Sequence, residues 1–347
     1  MIEFWLCTFA LVITLLNVIS MRVVGLNGAQ AVSASVDILV PMRNEEANAE
    51  ACIKSLLNSE HLENSKIYVL DDGSQDQTAA LIAPFKINKL RGSALPPGWL
   101  GKNWACHNLA RAGSGEYLVF IDADVRLHPY AIASAITKME SLGWDYICPY
   151  PKQLAGTFLE RLIQPLLQWS WMASVPLRIA EKYPRRSTTI ANGQFFAVKR
   201  SAYLESGGHE FIANEVLDDL ELARLLLISG FKGGVADGSS VASCRMYNSS
   251  TELVDGYTKS LWKAFGSTSG TLVAAFLLFV TGILPFAGIG ATAIFILLSR
   301  ILVAIKTKSS VAFSFLHPLA IIFLLYLIVL SSIRKSRGHL QWRGRAI

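Results

Sequence analysis

Tyr117-Leu118-Val119-Phe120-Ile121 is a run of five β-forming, nearly all apolar residues that stops abruptly at Asp122-Ala123-Asp124. A run without polar alternation reads as a strand covered on both faces of a sheet. In open α/β sheets, ligands bind beyond the carboxyl ends of the strands, so the two aspartates are carried into that crevice. Side chains at i and i+2 of a strand point the same way. Two hard carboxylates with open coordination positions suit Mg2+ or Mn2+ holding a diphosphate. A D-x-D at a strand end is also ordinary turn chemistry, so the rest of the chain has to decide between the two.

Upstream, the pattern repeats. Val36 to Val40 forms a short strand ending in Pro41-Met42-Arg43-Asn44-Glu45-Glu46, and a helix follows with Ala51, Ile53, Leu56 and Leu57 as its apolar positions. Ile67 to Leu70 is a second buried strand, ending in Asp71-Asp72-Gly73-Ser74-Gln75-Asp76 before a helix near Thr78. Ser74 and Asp76 are good N-cap types, and capping alone would explain them. Two adjacent aspartates exceed what a cap requires and suit contact with a nucleotide. Strand, helix, strand, helix, strand implies a parallel sheet with right-handed crossovers. Gly101-Lys102 opens the helix before the D-x-D strand, where free amides and the dipole favour phosphate. It is not a P-loop, and a lone lysine there more often faces solvent. Ala191 to Val198 reads as another strand and Gly207-Gly208-His209 as a tight loop. Leu217-Asp218-Asp219-Leu220-Glu221 opens a periodic helix. The helix dipole accounts for first-turn acids without any chemistry, but a doublet at the very start also aims one carboxylate into the crevice.

Composition matters for what lies outside this sheet. Of 347 residues 52% are hydrophobic, high for a wholly soluble chain, and the net charge is +6. The basic residues form no nucleic-acid stripe; they gather beside apolar segments, at Arg22, at 178–186, at 300–308 and at 334–345. That placement fits the cytoplasmic face of a membrane. Ile2 to Ser20 is long enough to span. Glu3, with no early Lys or Arg, argues against a cleaved signal peptide. Arg22 then puts the following domain on the cytoplasmic side. Residues 157–182 and 251–266, with Trp169, Trp171 and Trp262, are expected to lie at the bilayer interface, a buried core helix being the alternative for the first. Residues 269–305 are too long for one span, and Pro285 with its neighbouring glycines marks a bend. Two short spans there and a third at 311–333 are expected. This count leaves the basic tail (334–347) outside, against the positive-inside tendency; a re-entrant segment with a cytoplasmic tail is the favoured resolution. The organisation is therefore an anchor (1–22), a cytoplasmic catalytic domain (33–250), an interfacial helix, C-terminal spans (269–333) and the tail. Five scattered cysteines without a C-x-x-C indicate neither a disulfide framework nor a zinc site.

Taken together, Val69-Leu70-Asp71-Asp72-Gly73-Ser74, Asp122-Ala123-Asp124 and Asp218-Asp219-Leu220-Glu221-Leu222-Ala223 resemble, in order and spacing, family 2 of the inverting glycosyltransferases. The similarity covers about Val36 to Lys263. Within that family the chain is most similar to a membrane-bound subgroup that includes hopanoid-associated and carotenoid-acid glycosyltransferases. The residues that carry this are Leu95-Pro96-Pro97-Gly98-Trp99, Gly101-Lys102, Trp104-Ala105, Asn192-Gly193-Gln194-Phe195, Gly207-Gly208-His209 and a terminal Trp342-Arg343-Gly344-Arg345.

The resemblance implies the GT-A nucleotide-diphospho-sugar fold, an α/β, mostly parallel, Rossmann-like sheet, with transmembrane helices at both ends. It implies that Pro41, Arg43, Glu45, Asp71, Asp72, Lys102, Asp122 and Ala123 bind the donor nucleotide. Asp124, with Asp122, would hold a divalent cation (Mg2+ or Mn2+), and Asp219 would be the general base. Asn192, Gly193, Gln194, His209 and Asp218 fall in the diphosphate and acceptor region, with Arg245 and Lys259 as candidates to neutralise the diphosphate. Two departures matter. Asp218 stands where the family usually has Glu, and the Q-x-x-R-W element of processive members is absent, which favours transfer of a single sugar. The implied partners are a nucleotide sugar, usually a uridine diphosphate hexose, a membrane lipid acceptor and the bilayer of a bacterial cytoplasmic membrane, with no nucleic acid. Rival expectations are nucleotidyl transfer, for which the turn at 41–46 lacks the Gly-rich, Arg-containing loop, and a binding module that has lost catalysis.

Overall fold

The computed structural model describes residues 1–288, 290–338, 341–342 and 345–346. Arg343 and Gly344 of the terminal signature, and with them part of the basic tail, lie outside the described residues. In chain order the strands are β1 (Val32–Met42), β2 (Leu62–Asp71), β3 (Asn88–Arg91), β4 (Tyr117–Ile121), β5 (Val125–Leu127), β6 (Tyr146–Tyr150), β7 (Lys152–Gln153), β8 (Phe195–Lys199), β9 (Gly233–Asp237) and β10 (Ala242–Cys244). The α-helices are α1 (Ile2–Ser20), α2 (Ala49–Leu57), α3 (Thr78–Ile82), α4 (Gly101–Ala112), α5 (Ala131–Ser141), α6 (Phe158–Met172), α7 (Leu177–Lys182), α8 (Arg200–Glu205), α9 (Asp218–Ile228), α10 (Ser250–Ala264), α11 (Thr268–Gly282), α12 (Ala291–Lys306) and α13 (His317–Ser336). They divide into two units, one of residues 22–152 and 183–244, the other of 1–21, 153–182 and 245–347.

The first unit is built on a seven-stranded sheet of order β3-β2-β1-β4-β8-β6-β9. β1, β2, β3 and β4 are mutually parallel, as the alternation of strands and helices implies, while β8 runs antiparallel to both β4 and β6. The chain moves outward from β1 through β2 to β3 and then returns to the other side of β1 to place β4. That reversal makes the gap between β1 and β4 the switch point where ligands of open α/β sheets bind. All five residues of β4 are buried, in keeping with their unbroken apolar run. One layer of core joins Leu118 and Phe120 of β4 to Leu39, Leu70, Phe196 and Val198. Cys106 and Leu109 of α4, and Leu222 and Leu226 of α9, close it from above at helical spacing. At roughly 1.5–3 kcal/mol for each large side chain removed from water, this layer holds the first turns of α4 and α9 against the same sheet. Because β8 is antiparallel, with Ile121 opposite Phe195, the Asn192-Gly193-Gln194 segment before it arrives at the carboxyl end of β4.

The second unit is helical. Among the described residues three helices are long and apolar enough to cross a membrane, Ile2–Ser20, Thr268–Phe286 and Ala312–Ser336, while α12 has 16 residues. Helix α6 begins with a capping box: Thr157 Oγ1 accepts the Glu160 N–H at 3.2 Å, and Glu160 reaches back to the Gly156 N–H at 2.6 Å. Most of α6 is buried, Trp169 and Trp171 included. Buried Asn17 of α1 donates to the Met172 and Val175 carbonyls at 2.9 and 2.7 Å and accepts the Leu177 N–H at 3.0 Å. It thereby satisfies the backbone groups that the end of α6 leaves open.

Candidate active site

Six chain segments meet at the carboxyl edge of the sheet: the turns after β1, β2 and β4, the starts of α4 and α9, and the stretch from Asn192 to Gln194. The turn after β1 is sewn to the turn after β2 by side chains that accept backbone N–H groups. Asn44 N–H donates to Ser74 Oγ at 2.9 Å, Glu45 N–H to Thr78 Oγ1 at 2.8 Å and Glu46 N–H to Asp76 Oδ2 at 3.1 Å. In return Gln75 N–H donates to Asn44 Oδ1 at 2.8 Å. Asp71 Oδ1 takes the Ser74 N–H at 3.0 Å, and Arg43 donates to the carbonyls of Asp72 and Gly73. Asp76 accepts the Thr78 N–H at 3.0 Å just ahead of α3, although Gln77, not Asp76, stands at the cap position. Pro41 sits in β1 opposite Leu70, one step from the turn, and Asp72 is buried behind Gly92, where an added Cβ would crowd the carboxylate. Pro41, Arg43, Glu45, Asp71 and Asp72 therefore share one double turn.

The D-x-D turn is held from below by a residue that the sequence did not single out. Arg126 donates to the Ala123 and Val125 carbonyls, both at 2.8 Å, and to Asn48 Oδ1 at 3.1 Å; Asn48 in turn donates to Glu45 Oε2 at 2.9 Å. Only an arginine two residues past Asp124 hints at this, and no motif marks it. Asp124 Oδ1 is buried without a hydrogen-bond partner. Burial, and then the Glu45 carboxylate, push Asp124 above the usual carboxylate range, opposed by the Cys244 thiol that donates to it. Cys244, on β10, was also missed; burial and the Asp124 charge keep it a neutral thiol.

Lys102, at the second position of α4, is the central cation. Its ammonium stands 3.0 Å from Asp122 Oδ1 and 3.2 Å from Asp218 Oδ2. Burial works against that charge, but Asp122 and Asp218 outweigh it and hold Lys102 well above the ordinary lysine range. Burial pushes Asp122 up to about 6 despite the lysine. Asp219 Oδ2 accepts the Gly193 N–H at 2.8 Å and Oδ1 the Leu220 N–H at 2.8 Å. Burial and then Asp218 raise its pKa, with Lys102 and the two N–H donors opposing. Gly193 lies close against the knot: a Cβ there would stand 3.1 Å from Asp219 Cβ, tight enough that Asp219 would have to give. Gln194 places its carbonyl on the Asp122 N–H at 3.2 Å, and Asn192 Oδ1 accepts the Gln194 N–H at 2.8 Å.

His209 is buried beneath this knot, with Nδ1 2.9 Å from the Tyr203 hydroxyl and its ring edge-on to Phe120. Burial lowers its pKa to about 4, so it is neutral and packs as part of the floor. Arg245 and Lys259 belong to the helical unit, where Arg245 Nε donates to the Tyr247 carbonyl at 3.4 Å and the Lys259 carbonyl accepts the Trp262 indole N–H at 3.0 Å.

The residues present suit a divalent ion of one kind. No group of three His, Cys, Asp or Glu side chains able to hold a metal occurs among the described residues. An all-protein cage is therefore absent from that part of the chain. Mg2+ and Mn2+ sites that serve phosphate substrates use one or two carboxylates and fill the rest with phosphate oxygens and water. The bare Asp124 oxygen beside Asp122 meets that requirement.

The glycosyl transferase family 2 model matches residues 37–207. A 4,4'-diaponeurosporenoate glycosyltransferase of Staphylococcus haemolyticus (strain JCSC1435) is 24% identical over 269 residues, covering 74% of this chain and 68% of the relative. The enzyme of the same description from Staphylococcus aureus (strain USA300) is 22% identical over 333 residues, 90% of this chain and 88% of the relative. Among solved structures, a mannosyltransferase from Pyrobaculum calidifontis in complex with GDP-Man and Mn2+ superposes with a TM-score of 0.56 at 14% identity, over 95% of this chain and 99% of that one. That likeness shows the fold, GT-A.

Proposed function

From the premise that this chain is a glycosyltransferase whose residues 37–207 form a family 2 domain, we propose that it moves one sugar, with inversion, from a nucleoside diphosphate donor to a membrane lipid. The observation that carries this is the knot of Lys102, Asp122, Asp218 and Asp219 beside the bare oxygen of Asp124. Arg43, Glu45 and the Asp71-Asp72 turn would receive the nucleoside. Asp124 and Asp122 would hold a divalent cation, which supplies charge stabilisation to the departing diphosphate. Lys102 would contribute a further positive charge from the start of α4.

Asp219 would take the proton of the acceptor hydroxyl, or bind and orient an acceptor carboxylate that needs no deprotonation. A general base works best when its pKa is brought up toward the working pH, the direction in which burial and Asp218 move Asp219. Its two backbone N–H donors occupy part of a carboxylate's four acceptor positions and leave others for substrate. A single base suffices for in-line inversion, whereas retention through a glycosyl-enzyme intermediate employs a second carboxylate as nucleophile.

The lipid acceptor is supported by the helical unit with its three candidate spans and by the carotenoid acid in the names of the relatives. A uridine diphosphate hexose is the donor class the family resemblance implies, and Arg22 after α1 supports a cytoplasmic placement of the sheet unit. The test is Asp219→Asn in purified membranes, followed by transfer of labelled sugar into extractable lipid. Loss of about 10²–10⁴-fold in kcat with donor binding retained is expected; near-normal turnover would remove Asp219 from the base role.

A further inference from the structure

Among the described residues Arg300 is the largest fully enclosed side chain, 2% exposed on the apolar helix α12, and no carboxylate pairs with it. One guanidinium N–H donates to the Pro165 carbonyl at 3.1 Å, while Nε is buried with no acceptor. The guanidinium carbon lies 5.9 Å from the centre of the Trp169 ring. The same indole meets His317, the first residue of α13, edge-on at 4.7 Å. His317 is 0% exposed, and both of its ring nitrogens are buried without a partner. The Trp169 indole N–H is already committed to Ser299 Oγ at 2.9 Å. A guanidinium and an imidazole are thus brought round one tryptophan by three helices of the same unit, and each is left with unused donor capacity.

Such an arrangement is costly as it stands. A buried charge without a counter-ion is strongly disfavoured, and charged groups among membrane helices mark binding or transport sites. We propose that Arg300 and His317 form a binding site for the carboxylate headgroup of a membrane-soluble acid. The free Nε edge of a planar guanidinium matches a carboxylate, and a neutral imidazole N–H supplies another donor. The charge count favours a monoanion: one fixed positive charge neutralises a carboxylate, whereas a phosphate monoester would keep one negative charge in excess. The tail is apolar because the outward faces of these helices are. Ile294 and Leu298 on α12, and Leu319 and Ile322 on α13, are exposed in helices that suit a bilayer. The inference goes beyond the transferase reading and does not depend on it. Binding is measured without a sugar donor, so its failure leaves glycosyl transfer standing, and loss of transfer leaves binding standing.

The experiment uses the full-length protein in non-ionic detergent with tritiated palmitate as probe, competed by unlabelled palmitate, hexadecanol or butyrate. Saturable binding of one palmitate per chain is expected. Hexadecanol, which lacks the charge, should compete at least about 30-fold less well, the range of a lost charge-assisted hydrogen bond. Butyrate keeps the charge but lacks most of the tail, and should also compete at least about 30-fold less well because it buries far fewer CH2 groups. Arg300→Met is expected to abolish saturable binding. Without ligand it should melt no lower than wild type, since a buried charge lacking its counter-ion has been removed. Palmitate should raise the apparent Tm of wild type and leave Arg300→Met unmoved. His317→Phe, which keeps the ring packing on Trp169, should weaken binding about 10-fold. The proposal is overturned if hexadecanol or butyrate competes as well as palmitate, if either variant binds palmitate as wild type does, or if Arg300→Met unfolds, which would make the arginine a structural prop.

Discussion

In the sheet unit, Asp122 and Asp218 share the Lys102 ammonium at 3.0 and 3.2 Å, and Asp219 takes two backbone N–H groups. In the helical unit, Arg300 is more deeply enclosed and has a single carbonyl for company. Both units set ionisable groups in poorly solvated places, and the cost of doing so is similar in kind. They differ in who answers the charge. At a sheet edge, strand ends and helix starts converge, so opposite charges and free amides are at hand and the site is largely satisfied before any substrate arrives. Helices of a membrane unit use their amides internally, so charge there has to be met by side chains or by something that binds. Asp124 Oδ1, an acidic oxygen that the sheet unit buries without a hydrogen-bond partner among the described residues, marks where that unit too waits for a partner.

Asp124→Asn is the sharpest way to test this contrast on the sheet side. It keeps the shape and the contact with Cys244 and removes the charge that a divalent ion would use. Mn2+-dependent binding of a nucleotide sugar, followed by calorimetry, is expected to weaken about 100-fold. If binding is unchanged, the bare oxygen is a packing accident and the contrast with Arg300 loses its basis.

Lys102→Met comes next. It leaves Asp122, Asp218 and Asp219 without their shared cation, so like charges oppose one another and the Asp122 and Asp219 carboxyls shift further up. A fall of about 10–30-fold in kcat/KM at pH 7 is expected, of the size of a lost charge-assisted hydrogen bond. The acid limb of the pH profile should move to higher pH as well. A fall without that movement would make Lys102 a donor ligand only.

Burial puts Asp122 at about 6 in the protein without a divalent ion or donor, and stability in that state should respond to it. Between about 4, the ordinary carboxylate value, and about 6, the folded protein keeps a proton that the unfolded chain has released. Ligand-free stability therefore drops as pH rises through that window, and saturating Mn2+ with a nucleotide sugar should reverse the slope. A melting temperature rising with pH from 4 to 6 without ligand would contradict the raised value.

The same contrast explains what could be read from the chain alone. Acids after apolar runs give Asp71, Asp72, Asp122 and Asp124, and the start of a periodic helix gives Asp218 and Asp219, because strand period and helix start are local signals. Their meeting depends on the antiparallel direction of β8 and on the return from β3 to β4, which no local pattern specifies. β1 begins at Val32, earlier than the apolar core at Val36 suggests, because Ser35 pairs with Asn64 and strand pairing overrides the polar composition. Arg126 works through backbone carbonyls, and carbonyls leave no trace in sequence. Hydropathy finds the spans, but the partnership of Arg300, Trp169 and His317 joins residues up to 148 positions apart and is purely tertiary.

The smallest effect should come from a polar group of the helical unit that is fully answered from within. The Ser331 hydroxyl of α13 accepts the Trp262 N–H at 3.0 Å and donates to the Thr258 carbonyl at 2.5 Å. Those are the i and i−4 groups that α10 would otherwise join directly, so the hydroxyl is inserted into a helical rung and ties α10 to α13. Ser331→Ala leaves the two backbone groups to close the rung on themselves or stay unpaired. A loss of about 1–3 kcal/mol of stability is expected if they stay unpaired, and less if the rung closes. Transfer activity and palmitate binding below the melting temperature should not change. The variant therefore serves as a control for Arg300→Met: both alter a buried polar side chain of one unit, and only the one whose charge has no internal partner should respond to an added acid. A palmitate-dependent rise in Tm that vanishes equally in Ser331→Ala would show that general loosening of the helices, rather than the guanidinium, governs the response.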